Sequence, residues 1–287
     1  MQLDVNRSDL TVGVIGAGAM GRGIAQVAAA GNMQVLITDS RPGAAQEARD
    51  FVDKLFARAA EKGSMTREAA AAATARIKVV SSLAEFKPCH LVVEAVVEDL
   101  EVKKKVFAQL DKVCPAHAVL ATNTSVLSVT DIAVATKRPE KVLGIHFSNP
   151  VPLMKMLEII KTLATSDETL TIARDFCTSI GKKVVVAKDA AGFLANRILC
   201  PFLLNAIRMM EAGYAAEDID NICTMGMGHP MGPLTLLDLI GIDTVYRGAI
   251  EVYDELKDPQ YNPPTLMRKM VTLGWHGRKT GKGFYTY

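Results

Sequence analysis

The residues that most constrain the fold are three glycines, Gly16, Gly18 and Gly21, in the stretch VIGAGAMGRG. They follow a short apolar run, TVGVI, and open a helix-forming stretch that ends at Gly31. A second apolar run, MQVLITD, follows and ends in an acid, Asp39. This order of strand, glycine turn, helix, strand and acid predicts a β-α-β unit that binds a dinucleotide.

Each glycine of this loop has its own predicted task. Gly16 permits the tight turn, Gly18 lets the backbone approach a pyrophosphate, and Gly21 lets the helix pack closely on the strand. The predicted helix begins with Ala19 and Met20, and its first turn would direct free N–H groups and the helix dipole toward the anion. We therefore predict that residues 16–21 cradle the pyrophosphate of the cofactor.

The acid after the second strand bears on which nucleotide binds. Asp39 would accept hydrogen bonds from the hydroxyls of the adenine ribose and repel a 2′-phosphate, which favours NAD. Arg41 lies two residues further on and could serve such a phosphate, so NADP stays open as an alternative.

Apolar runs and helix-forming stretches then alternate through the first two thirds of the chain. Further strands are predicted in IKVVSS, HLVVEAV, AVLATNT, KVLGIHFS, MLEII and KKVVVAKD. Repeated strand-helix-strand units with apolar strands indicate a parallel sheet covered on both faces. From Gly192 onward the pattern is helical. We predict an α/β protein: a doubly wound Rossmann-type domain over residues 1–189, followed by an all-helical domain over residues 190–287.

Composition excludes several function classes for this chain of 287 residues. A net charge of +2 gives no overall attraction to nucleic acid or to a membrane surface. No apolar run approaches the roughly 20 residues of a membrane span. The five cysteines show neither pairing nor metal-ligand spacing, which predicts a cytoplasmic protein without a metal site.

The candidate chemistry lies in the stretch VLGIHFSNPVPLMKMLEII, residues 142–160. His146 ends one apolar run, Glu158 lies within the next, and a turn containing Asn149 separates them. Antiparallel pairing of the two runs would bring the glutamate, which needs a partner when buried, beside the histidine. Histidine titrates near neutrality and suits the role of a general base. On the residues alone, a packed strand-end histidine remains the alternative.

Several segments together resemble one enzyme family, the short-chain L-3-hydroxyacyl-CoA dehydrogenases, and the bacterial 3-hydroxybutyryl-CoA dehydrogenases in particular. The resemblance covers essentially the whole chain and is carried by GAGAMGRGIAQ, VVEAVVEDLEVKK, ATNTSVLSVT, GIHFSNPVPLMKMLEII, AGFLANRIL, GHPMGPLTLLDLIGID and GWHGRKTGKGFYTY. It implies reversible, NAD-dependent oxidation of an (S)-3-hydroxyacyl-CoA, with a four-carbon acyl group as the leading expectation. It also implies a homodimer formed through the helical domain.

The resemblance implies four catalytic residues. His146 would be the base and Glu158 its partner. Ser125 would bind the substrate hydroxyl, and Asn196 would bind the substrate near its carbonyl.

The resemblance also implies further cofactor contacts, which are Asn123 and Asn149 at the nicotinamide, Glu98 and Lys103 beside its ribose, and Lys279 in the tail. Ser125 is shared between cofactor and substrate. Two positions depart from the family pattern: Val126 where serine is usual, and Ser148 where an aromatic residue is usual.

Three basic residues are candidates for the phosphates of coenzyme A. Lys54, Arg58 and Lys62 are spaced to share one face of a predicted helix. A solvated charge stripe is the ordinary alternative. Two other functions stay open: a dehydrogenase of a 3-hydroxy acid without CoA, and a non-catalytic NAD-binding structural protein.

Overall fold

A computed structural model describes residues 10–287. The chain divides into two compact units, one ending at Asp189 and the other beginning at Ala190. The predicted fold class is confirmed, with an eight-stranded sheet and its helices before Asp189 and helices after it. Among the described residues, no helix is both long and apolar enough to cross a membrane.

The first unit is built on one sheet with the strand order β3-β2-β1-β4-β5-β6-β7-β8. The strands are β1 (Thr11–Ile15), β2 (Gln34–Thr38), β3 (Ile77–Val79), β4 (Leu91–Glu94), β5 (Val119–Thr122), β6 (Val142–Phe147), β7 (Met156–Lys161) and β8 (Lys183–Lys188). β1 to β6 run parallel, as the apolar runs predicted. β7 pairs antiparallel with β6, and β8 pairs parallel with β7.

Apolar clusters cover both faces of this sheet. Val12 and Val14 of β1 belong to the cluster on one face. Gly13 between them faces the other way, because a β-carbon built there would lie 2.4 Å from the ring of Phe86, which belongs to the second cluster. The alternation follows the pleat of a strand buried on both sides.

The helices of the first unit surround the sheet. They are α1 (Ala19–Ala30), α2 (Ala44–Glu61), α3 (Arg67–Ala75), α4 (Leu100–Val113), α5 (Val129–Ala133) and α6 (Asp167–Ser179). Side-chain caps fix the starts of several of them. Asp99, for example, accepts from the backbone N–H of Val102 and so begins α4.

The second unit contains α7 (Ala195–Glu211), α8 (Ala216–Asn221), α9 (Pro233–Ile240), α10 (Ile242–Leu256) and α11 (Thr265–Thr272). The sequence from 232 to 256 reads as one helical stretch, but the structure divides it at Gly241. Gly241 has φ +105°, a conformation that only glycine adopts readily, so the helix stops there and restarts. The apolar cores of the two units are separate clusters.

Candidate active site

The glycine loop connects β1 to α1 and leaves one side open. Gly16 has φ +93°, and a β-carbon there would lie 2.3 Å from the carbonyl oxygen of Ala95. A β-carbon on Gly21 would lie 1.7 Å from the carbonyl oxygen of Gly16. Gly18 differs, because a β-carbon there would meet nothing within 4 Å. Two glycines are therefore required by the fold itself, and the third borders open space.

That open space faces the start of α1. Gly18 is the cap residue and has no side chain to offer the first turn, so the N–H groups beginning at Ala19 carry no side-chain cap. Free N–H groups and the positive end of the helix dipole form a site for an anion. The residues present thus fit the pyrophosphate of a dinucleotide.

Asp39 lies directly beside this loop. Its Oδ2 accepts from the backbone N–H of Ala17 at 2.6 Å, and its Oδ1 accepts from the N–H of Arg41 at 2.8 Å. These two bonds hold the carboxylate at the carboxyl end of β2, the position that the sequence predicted for a ribose contact. The guanidinium of Arg41 is paired with Glu47.

His146 and Glu158 meet across the antiparallel pair of β6 and β7. They are directly opposite each other in the register, so both side chains lie on the same face of the sheet. His146 Nδ1 lies 2.9 Å from Glu158 Oε2, and both side chains are largely buried. A register shift of one residue would place them on opposite faces. The predicted antiparallel pairing therefore occurs, and it joins the two groups.

This contact decides which nitrogen carries the proton of a neutral imidazole. An ionised carboxylate can only accept hydrogen bonds, so it is matched by a proton on Nδ1 of His146. Nε2 then holds the lone pair and can take up a proton. If it does, the carboxylate of Glu158 stabilises the resulting imidazolium.

The turn between β6 and β7 is held by a buried lysine. Lys182 donates from Nζ to the carbonyl oxygens of Val151 and Met154, the latter at 2.7 Å. Burial lowers the pKa of Lys182. The exposed Asn149 lies in this turn, directly after the half-buried Ser148. The lysine thus fixes the segment that presents Asn149.

The ends of β5 and β6 are joined by Asn123. It is buried, and its Oδ1 accepts from the backbone N–H of Phe147 at 3.0 Å. Ser125 follows on an exposed loop, and its N–H donates to Glu98 Oε1 at 2.8 Å. The hydroxyl of Thr124 donates to the same carboxylate oxygen. The first unit thus places Asn123 beside the end of the strand that carries His146, and Ser125 two residues further along the same loop.

A buried carboxylate that was not among the predicted site residues supports this loop. Glu94, at the end of β4, is fully buried and accepts from Thr122 Oγ1 and from Lys103 Nζ, each at 2.8 Å. Lys103 Nζ also lies 3.2 Å from Glu98 Oε2. The chain of contacts Glu94–Lys103–Glu98 therefore leads to the Ser125 loop.

The sequence does contain a signal for Glu94, because this acid ends the apolar run LVVE. Glu158 was identified in the same way, as an acid within an apolar run. The side chain of Lys103 is 1% exposed and is neutralised by two carboxylates. Its place beside a cofactor stays a prediction.

Two of the predicted site residues lie in the second unit. Asn196 is half-buried in the first turn of α7. Lys279 is paired with Asp243, its Nζ 2.5 Å from Oδ1. This contact lowers the pKa of Asp243, although burial of the carboxyl opposes the shift. The predicted contacts of Asn196 and Lys279 with substrate and cofactor stay predictions.

The three basic candidates for CoA are exposed, Lys54 and Arg58 on α2 and Lys62 at its C-terminal cap. Val126, one of the two departures from the family pattern, is half-buried behind Ser125. Among residues 10–287, no group of three or more His, Cys, Asp or Glu is placed to hold a metal ion.

Comparison with known families matches both parts of the chain. Residues 11–190 match the family described as 3-hydroxyacyl-CoA dehydrogenase, NAD binding domain. Residues 192–287 match the family described as 3-hydroxyacyl-CoA dehydrogenase, C-terminal domain.

Individual relatives agree over nearly their full length. The chain is 42% identical over 279 residues to a 3-hydroxybutyryl-CoA dehydrogenase of Mycobacterium tuberculosis, covering 96% of this chain and 98% of the relative. It is 42% identical over 291 residues to the human mitochondrial hydroxyacyl-coenzyme A dehydrogenase, covering 96% and 90%. The crystal structure of (S)-3-hydroxybutyryl-CoA dehydrogenase from Ralstonia eutropha superposes with a TM-score of 0.94 at 39% identity, covering 98% and 99%.

Proposed function

This chain belongs to the 3-hydroxyacyl-CoA dehydrogenase family, and from this premise we propose that His146 and Glu158 are its general-base pair. The family assignment makes the protein an oxidoreductase that uses NAD to oxidise a 3-hydroxyacyl-CoA to the 3-oxoacyl-CoA. The predicted family, enzyme class, cofactor and reaction are confirmed by these matches. The individual residue roles are the proposal.

The reaction requires two bonds to break at the substrate. The C–H bond at carbon 3 releases hydride, and the O–H bond at the same carbon releases a proton, which leaves the ketone. Bound NAD supplies the hydride acceptor. The protein must therefore bind the hydroxyl and take its proton.

His146 is the group suited to accept that proton. With Nδ1–H directed at Glu158, Nε2 receives the proton, and the imidazolium that forms is stabilised by the carboxylate 2.9 Å from Nδ1. In the reverse direction, Nε2 returns the proton to the ketone oxygen. The contact with His146 compensates the buried carboxylate of Glu158 for the loss of water.

Ser125 orients the substrate hydroxyl in this proposal. Its backbone is held by Glu98, and Glu98 is held in turn by Lys103 and Thr124. Such support keeps a binding group within a narrow range of positions. Asn196 would bind the substrate near its carbonyl, on the ground of the family resemblance alone.

The observation that carries the proposal is the contact of 2.9 Å between His146 Nδ1 and Glu158 Oε2, formed by residues directly opposite in the β6–β7 register. The test follows NADH absorbance with (S)-3-hydroxybutyryl-CoA as substrate. Replacing the base, His146→Ala, is expected to lower kcat by about 10²–10⁴-fold while NADH binding is retained.

His90→Ala is the matched control, because this half-buried histidine lies before β4 and is not proposed to take part in the reaction. It should keep kcat within a factor of about two. An active His146→Ala enzyme would refute the proposed base without touching the family assignment.

Several finer features belong to the same proposal. We propose a four-carbon substrate because the relatives from M. tuberculosis and R. eutropha are named for 3-hydroxybutyryl-CoA.

The helical unit is proposed to bind substrate and to form a homodimer. Exposed apolar side chains of that unit support the dimer, among them Ile198, Met225 and Met227. Sedimentation equilibrium tests the dimer. A cytoplasmic location is proposed on the cysteine pattern of the sequence.

A further inference from the structure

An ion pair beside the glycine loop is not used by the proposed reaction. Arg41 donates to Glu47 through both terminal nitrogens, Nη1 to Oε1 at 3.0 Å and Nη2 to Oε2 at 2.5 Å. Two parallel bonds of this kind fix the orientation of a guanidinium group. Glu47 belongs to the first turn of α2, while Arg41 precedes that helix. The pair therefore ties the segment after β2 to the helix that follows it.

The position of the pair links it to the nucleotide. The N–H of Arg41 donates to Asp39, whose other oxygen accepts from Ala17 in the loop. Arg41 and Glu47 also line a cavity of about 370 Å³ together with Ala17 and Gly18. The pair thus borders the same space as the residues that fit the cofactor.

The contact between Arg41 and Glu47 adds little to the stability of the fold. The two side chains are 61% and 64% exposed, and exposed ion pairs contribute little to the free energy of folding. Hydrogen bonding and charge attraction from Glu47 raise the pKa of Arg41, and the same effects from Arg41 lower the pKa of Glu47. Both groups are therefore charged at neutral pH, and a fixed negative charge stands beside the arginine.

An arginine just after the second strand of this fold can accommodate the 2′-phosphate of NADP. Here one N–H of each terminal nitrogen donates to a carboxylate, so the bidentate edge of the guanidinium is already paired. A phosphate arriving at Asp39 would have to displace Glu47 to bind that edge, and would then remain near its charge. Two carboxylates, rather than one, oppose the phosphate.

We propose that Glu47 withholds Arg41 from the nucleotide 2′-phosphate and so reinforces the selection of NAD over NADP by Asp39. The inference rests on the NAD-dependent function stated above. It makes Glu47 a specificity-determining residue that acts through Arg41.

The test measures the dissociation constants of NADH and NADPH for the full chain, from the fluorescence of the bound nucleotide. Glu47→Ala is expected to tighten NADPH about five- to tenfold and to leave NADH within about twofold. Arg41→Ala alone should change neither constant by more than about twofold, since the arginine is already engaged. Glu47→Ala combined with Arg41→Ala should lose the NADPH gain.

Asp50→Ala is the matched control, because Asp50 is an exposed acid on the same helix that bonds to Gln46 instead of Arg41. It removes the same charge and should leave both constants unchanged. An equal NADPH gain in Asp50→Ala would overturn the proposal, because charge alone would then explain it. A gain that survives the loss of Arg41, or no gain in Glu47→Ala, would also overturn it.

Nucleotide binding needs neither substrate nor turnover. If the wild-type protein bound NADH but failed to oxidise 3-hydroxybutyryl-CoA, the proposed four-carbon substrate would fail while this inference could still be judged. Circular dichroism melting of each variant establishes that the proteins compared are folded.

Discussion

Two regions of the first unit contribute to the proposed function in different ways. The glycine loop after β1 presents backbone groups, and its three glycines lie within six residues of sequence, from Gly16 to Gly21. The β5–β7 region presents side chains from separate segments, which are Ser125, His146 and Glu158. The glycine loop is formed by the local path of the chain, and the β5–β7 region by the packing of separate strands. Substitutions should act on the two regions by different physical mechanisms.

The largest effect is expected within the glycine loop. Gly21→Ala forces a β-carbon to 1.7 Å from the carbonyl oxygen of Gly16, so the backbone must shift. We expect a loss of stability above about 4 kcal/mol, measured by urea denaturation. Gly18→Ala is the matched control, because its β-carbon enters open space. It should fold normally and weaken NADH binding by about tenfold. Equal stability of the two variants would contradict the distinction drawn between these glycines.

The next largest effect tests the β5–β7 region through the buried residues that support it. Glu94→Gln leaves the ammonium of Lys103 buried with only Glu98 as its charged partner. We expect the free energy of unfolding to fall by about 3 kcal/mol. Glu101→Gln removes an acid of α4, the helix that carries Lys103, whose side chain is 71% exposed, and should cost less than about 0.5 kcal/mol. Equal losses would mean that burial of the network is not what stabilises this region.

A smaller effect is expected when the partner of the base loses its charge. Glu158→Gln keeps an oxygen that can accept from His146 Nδ1 but cannot stabilise the imidazolium by charge. We expect kcat to fall about 10²-fold, with the dissociation constant of NADH unchanged. Stopped-flow and steady-state NADH absorbance provide the measurement. A loss of NADH binding instead would show that the glycine loop and the β5–β7 region do not act separately.

The smallest effect concerns the basic side chains on the exposed face of α2 and at its C-terminal end. Replacing Lys54, Arg58 and Lys62 together by alanine should raise KM for 3-hydroxybutyryl-CoA about tenfold and leave kcat unchanged. The control replaces three other exposed lysines, which are Lys87, Lys112 and Lys137. If both triple variants keep the wild-type KM, CoA does not bind at these residues of α2.

Local patterns predicted much of this molecule. The strand runs, the glycine loop and the helix α1 that follows it are set by residues close together in sequence, because hydrogen bonding and chain geometry act over a few residues. The break at Gly241 was not predicted, since the run on either side has one helical period. Only the backbone conformation shows that this glycine has a positive φ.

Sequence alone determined that the chain has a nucleotide loop at β1, apolar strands on either side of it, and a histidine and an acid in adjacent apolar runs. The sequence also predicted that antiparallel pairing would join His146 and Glu158, and the tertiary structure supplied the register that does so. Other partners were decided by the tertiary structure alone, which pairs Lys103 with Glu94 and Arg41 with Glu47. The physical reason is that side-chain partners depend on strand register and helix orientation, which are set by packing across the whole sheet. A glycine turn depends only on its own backbone.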